Sequence, residues 1–159
     1  MNAIQLDLDI AYHVEGIPDD SERFQRAAEW VAGRFGLQYI TVSLAIVDDP
    51  AIHRVNREHL GHDWPTDAIS FVFEHSSAAV DGEIIVSFET AERLSHAAGW
   101  SAEDELLLYV IHGLLHLAGL DDSDQQSRRE MRLAERACLC ALGVSAAEDY
   151  LTRWDNVSN

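Results

Sequence analysis

The run Leu106–Leu117 constrains this chain more than any other stretch. It reads Leu-Leu-Leu-Tyr-Val-Ile-His-Gly-Leu-Leu-His-Leu and is apolar nearly all round if helical. Such a helix belongs at the centre of a fold, covered on most sides. Ser101-x-x-Asp104 ahead of it resembles a capping box and marks where the helix opens. His112 and His116, four residues apart, then share one helix face, close enough for both imidazoles to reach a single ion. Gly119 offers a turn through the left-handed region, which can bring Asp121 or Asp122 back towards the same point. A bland alternative stands beside this: a packed histidine pair, with Asp122 serving as N-cap of the next helix. Burial favours the metal, because two ring edges in an apolar helix each cost a few kcal/mol unless satisfied, about 1–3 on mutational scales.

The rest of the chain reads as elements to surround that helix. Ile4, Leu6, Leu8, Ile10 and Tyr12 alternate with polar residues and predict a half-buried strand over 3–14. Gly16-Ile17-Pro18 breaks it, and Asp19, Asp20 or Ser21 can cap a helix to Phe35 that ends at Gly36. Residues 38–47 are β-branched and alternating, a second strand. Asp48-Asp49-Pro50 opens a short helix to about His59. The loop 60–67 is dense in turn residues. Strands are expected over 68–74 and 83–88, with a turn of small residues over 76–82, and a helix over 90–98. Asp122 to Leu142 predicts a last amphipathic helix facing inward through Met131, Ala134, Cys138, Ala141 and Leu142. The fold class is α+β: a mixed four-stranded sheet packed with about five helices on one face, the metal site at the C-terminal end of the central buried helix. With 159 residues, and neither an internal repeat nor a low-complexity linker, a single domain over 1–159 is expected.

Composition bounds function. Apolar residues make up 47% and charged residues 25%, ordinary for a globular protein. No apolar run reaches the roughly 18–20 residues of a membrane span, and the N-terminus lacks a basic and apolar leader, so a cytoplasmic protein is expected. Cys138 and Cys140 point to different helix faces and read as buried free thiols. Asn156-Val157-Ser158 matches a glycosylation sequon, taken as chance in such a protein. The 28 acidic residues against 11 basic ones, all arginine, give a net charge of −17. That excludes non-specific adhesion to nucleic acid but not a local arginine patch. Arg128, Arg132 and Arg136 form a stripe on the last helix with Arg129 beside it, most simply a solvated face paired with Glu130 and Glu135.

With these residues in place the chain resembles the YbeY family of bacterial endoribonucleases. The family pattern His-Gly-x-Leu-His-Leu-x-Gly-x-Asp-His is matched by His112 to Asp121, with Asp122 where the family has its last histidine. Asn56 to Phe71 resembles a second family segment, and Gly82-Glu83-Ile84-Ile85-Val86-Ser87 a third. The resemblance implies a metal held by His112, His116 and Asp122: one Zn²⁺ per chain, with the carboxylate leaving room for harder ions such as Mn²⁺ or Mg²⁺. It implies single-strand-specific cleavage of RNA, not DNA, in late 16S rRNA 3′-end maturation and ribosome quality control, with rRNA and small-subunit proteins as partners. The family's loop arginine is Leu60 here and its preceding tyrosine is His59, so Arg57, His59 and His62 are the candidates to hold substrate phosphate. Asp67, Ser70 and Asp63 are candidates to orient the nucleophile or the metal ligands; ordinary turn chemistry is the alternative. An assembly factor with a structural metal is a second reading. A minimal zinc protease is a third, weakened because Gly113 stands where such proteases carry a glutamate base.

Overall fold

The computed structural model describes residues 3–61 and 67–144. Nine elements follow in order: β1 (Gln5–Tyr12), α1 (Ser21–Phe35), β2 (Tyr39–Val47), α2 (Asp49–Leu60), β3 (Ala68–His75), β4 (Ala79–Ser87), α3 (Phe88–Ala98), α4 (Ala102–Leu117) and α5 (Gln125–Ala141). The sheet order is β1-β2-β4-β3. β1, β2 and β4 run parallel, and β3 is antiparallel to β4, so the sheet is mixed as expected. His62 and Asp63, and the sequon at Asn156, lie outside the described residues.

The fourth strand is longer than its sequence suggests. The turn is confined to Ser76–Ala78, where the Ser76 hydroxyl accepts from Ala79 N at 3.0 Å, and β4 begins at Ala79 in register with Tyr39 of β2. Pairing on both sides carries small residues 79–82 into a strand that their own propensity would not support. Gly82 sits inside it because Leu117 of α4 packs on that spot: a Cβ there would come within 2.6 Å of both Leu117 Cδ2 and the Phe71 carbonyl oxygen. At the far end Ser87 leaves the sheet and caps α3, accepting from Thr90 N at 3.3 Å, so Phe88 is helical and not the end of the strand.

Alternation along the strands divides the apolar residues between two faces. Leu44 and Ile46 of β2 and Ile84 and Val86 of β4 meet Leu107, Ile111 and Leu115 of α4 in the main core. α4 packs against α1, α3, α5, β3 and β4, and its residues Glu105–Ile111 are all buried. Full burial of each Leu or Ile is worth about 1.5–3 kcal/mol, so this helix anchors the fold. Arg23 ties α1 to its first turn, bonding Asp104 at 2.8 Å and Asp20 at 2.7 Å. The expectation of helices on one face only is corrected by α2. Its Ile52 packs with Val47, Ile69 and Ile85 in a second cluster on the other side of the sheet, because β4 is a central strand and both its faces need cover.

Two further expectations change. α5 starts at Gln125, with Asp124 as N-cap in a reciprocal capping box with Ser127, which releases Asp122 from capping. Cys138 is buried, whereas Cys140 and Ala141 are exposed and Leu139 is buried in their place. Gly82→Ala is expected to destabilise by about 1–3 kcal/mol through overpacking. Gly33→Ala, on an exposed turn of α1 with nothing within 4 Å, should stabilise by about 0.5–1 kcal/mol. Urea denaturation midpoints of the two variants check both signs.

Candidate metal centre

One face of the apolar helix α4 carries Glu105, Tyr109, His112 and His116, spaced to align along its length. The two histidines converge at its C-terminal end: the Nε2 atoms lie 3.0 Å apart. α4 closes at Leu117, and Gly119 takes φ 110° beside the His75 ring, where a Cβ would meet Nε2 at 3.3 Å. His75 Nε2 donates to the Ala118 carbonyl at 3.2 Å, and Leu120 N returns to the Leu115 carbonyl at 3.0 Å. This turn delivers Asp122, whose Oδ2 lies 3.5 Å from both histidine Nε2 atoms. Asp121 is spent on the turn itself, accepting from Asp122 N at 2.8 Å and from the Ser123 hydroxyl. Between the two aspartates, the geometry therefore favours Asp122.

The outer ring nitrogens define which atoms face the centre. His116 Nδ1 donates to the Leu120 carbonyl at 2.9 Å, and His112 Nδ1 donates to Glu135 Oε1 at 2.9 Å. A carbonyl and a carboxylate only accept, so each Nδ1 carries a hydrogen and each neutral ring turns a bare Nε2 lone pair inward. Two lone pairs 3.0 Å apart repel unless a cation lies between them. Separations of 3.0, 3.5 and 3.5 Å match the edges of about 3.3 Å that a tetrahedron with ligand bonds of about 2.0–2.1 Å would have. Three such donors fit a divalent ion and leave a fourth position open. Without metal, one proton serves the pair. Burial alone would lower the pKa of His112, but the Glu135 hydrogen bond and charge outweigh it and raise the value. His116 is lowered, first by burial and then by its neighbour His112.

Glu135 was assigned above to a solvated face, and that is corrected here. It is fully buried, and Arg132 Nη1 donates to its two oxygens at 2.7 and 3.1 Å. The signal was present: Glu135 stands four residues after Met131 and three before Cys138, inside the apolar stripe of α5. A carboxylate there is tolerated because it is paired with a guanidinium and an imidazole.

These groups border a cavity of about 170 Å³, lined by Asp67, Leu94, Glu105, Leu108, Tyr109, His112, Asp122, Arg132 and Glu135. Asp67 accepts from Ala68 N at 2.7 Å and adds negative charge near His112. Glu105 is buried, holding the Trp100 indole N–H and the Tyr109 hydroxyl, the latter at 3.0 Å. Ser70 is not among the lining residues; its hydroxyl faces the Gly113 carbonyl at 3.5 Å. Arg57 and His59 are exposed on α2 and do not line the cavity either, His59 packing edge-on against Phe71 at 5.9 Å. A protease-type glutamate at position 113 has no room, since even a Cβ would lie 2.7 Å from Ile84.

A family model described as Endoribonuclease YbeY matches residues 13–143. The chain belongs to the YbeY endoribonuclease family. The YbeY endoribonuclease of Rhodopirellula baltica is 47% identical over 106 residues, which span 65% of this chain and 55% of that protein. The Porphyromonas gingivalis relative is 33% identical over 136 residues, 84% of this chain and 89% of that one. The solution structure of TM1509 from Thermotoga maritima covers 95% of this chain with a TM-score of 0.55 at 22% identity, a likeness of fold. The YbeY family match runs through both histidines, Asp122 and Glu135.

Glu135→Gln is expected to weaken metal binding about 10–100-fold, because a neutral amide holds His112 less firmly and makes its ring less basic. Metal uptake should also weaken as pH falls towards about 5, since the ion must displace a proton from His112, whose affinity for it is raised. Calorimetric titration of the metal-free protein at several pH values measures both.

Proposed function

We propose that this chain is a metal-dependent, single-strand-specific endoribonuclease in which His112, His116 and Asp122 hold one divalent ion, Zn²⁺ by preference. The convergence of two inward-facing imidazole nitrogens and one carboxylate, with a fourth position open to a cavity, carries the reading. Structural zinc is ordinarily closed by four protein ligands, so an open three-donor set favours catalysis over a structural metal. A bound ion supplies Lewis acidity there, polarising a phosphoryl oxygen and activating a water or the RNA 2′-hydroxyl. The residues do the remaining work. Glu135 and the Leu120 carbonyl fix the ring orientations. Asp67, at the cavity edge, is positioned to accept a proton from the nucleophile or hold it in line. Leu94, Leu108 and Tyr109 supply the apolar wall that limits water at the reacting phosphate.

The substrate follows from the family. We place its action on the 3′ end of 16S rRNA during late maturation and ribosome quality control, in the cytoplasm, with the small-subunit proteins as neighbours. Among the described residues no helix is long and apolar enough to cross a membrane. The net charge of −17 supports delivery by a ribosomal partner over free scanning of nucleic acid.

His112→Ala and His116→Ala are expected to lose both the ion and cleavage of single-stranded RNA, while Asp122→His keeps both. Metal analysis of purified protein and a cleavage assay with unstructured and duplex RNA check this. Cleavage by His112→Ala at the wild-type rate would assign the activity to a contaminant.

A further inference from the structure

The cavity is acidic where a nuclease must admit an anion. Asp67, Glu105, Asp122 and Glu135 give four carboxylates, against Arg132 as the only arginine lining it among the described residues. Even with a divalent ion bound, the lining stays net negative. Arg132 is also held in place: its Nη1 bonds both oxygens of the fully buried Glu135. Glu135 in turn bonds His112. A guanidinium is planar and carries five donors in a fixed fork, so one edge can grip a carboxylate while another meets a phosphate. At 19% side-chain exposure it lies at the cavity wall, shielded enough to strengthen the pairing and open enough to be reached.

We propose that Arg132 is the phosphate-binding residue of this site, gripping a phosphodiester oxygen of single-stranded RNA next to the ion held by His112, His116 and Asp122. The Glu135 link sets the guanidinium and the first imidazole on opposite sides of one carboxylate, fixing the distance between the phosphate clamp and the metal. This assignment rests on the nuclease reading above. It differs from the candidates Arg57 and His59, which stand on α2, away from the cavity lining.

The test measures binding of a non-cleavable 2′-O-methyl single-stranded oligonucleotide to the metal-loaded protein between 50 and 200 mM salt, settings chosen to span roughly the range where counterion release is read. Arg132→Met should keep the metal, bind several-fold more weakly, and show a log–log salt slope shallower by about 0.7, the value for one lost phosphate contact on a single strand. Arg132→Lys, which preserves a charge beside Glu135, should recover the slope and only part of the affinity. An unchanged slope in Arg132→Met, or binding that falls only as metal is lost, overturns the proposal while leaving the nuclease reading intact. If Arg132→Met fails to fold, an Arg132→Lys protein with wild-type affinity overturns the fork geometry on its own. Wild-type protein that holds metal yet neither binds nor cleaves RNA overturns the nuclease reading, and this proposal with it.

Discussion

Two imidazole nitrogens held 3.0 Å apart with their lone pairs facing set the terms for the rest of this structure. The arrangement is unfavourable without a cation, and the fold nevertheless enforces it from three directions. α4 fixes the spacing of the histidines, the Gly119 turn locks one ring through the Leu120 carbonyl, and α5 locks the other through Glu135. Each constraint rests on packing elsewhere. The turn is braced by His75 of β3, and α4 can approach the sheet closely because Gly82 and Gly113 leave room for Leu117 and Ile84. Geometry of this kind is preorganisation, in which the cost of assembling the ligands is met during folding and not at binding.

Much of this was legible in the sequence because it depends on local pattern. The apolar run around His112 and His116 predicted both the central helix and its burial, and period-two alternation located the strands. What was missed depends on long-range pairing. Residues 79–82 have weak strand propensity and join β4 because β2 and β3 flank them. α2 covers the second face because β4 turned out to be central, which no local signal reports. Glu135 was the instructive miss: its charge suggested solvent, although its place in the stripe of α5 pointed inward. A charged residue on a buried face is informative because it requires partners, here Arg132 and His112. Asp122 was read correctly as one of two options, but only the fold separated it from Asp121.

The strong net charge also takes on a more specific meaning. A chain with 28 acidic side chains gains little from long-range attraction to nucleic acid, so affinity must come from short-range contacts at the site and from partners. Within the cavity, the carboxylates serve to hold and tune the cationic groups, each of which gains strength from reduced solvent. The same crowding of acid explains why a histidine there holds its proton firmly and why metal and proton compete for it. Exclusion of a glutamate at position 113 by Ile84 separates this His-x3-His site physically from the protease version of the same spacing.

X-ray absorption spectroscopy of the zinc-loaded protein tests the central claim most directly, because it reads ligand type without a bound substrate. The account predicts two imidazole nitrogens and one or two oxygens at about 2.0–2.2 Å, with no sulfur. A sulfur shell at about 2.3 Å, or a centre with fewer than two imidazoles, would contradict it.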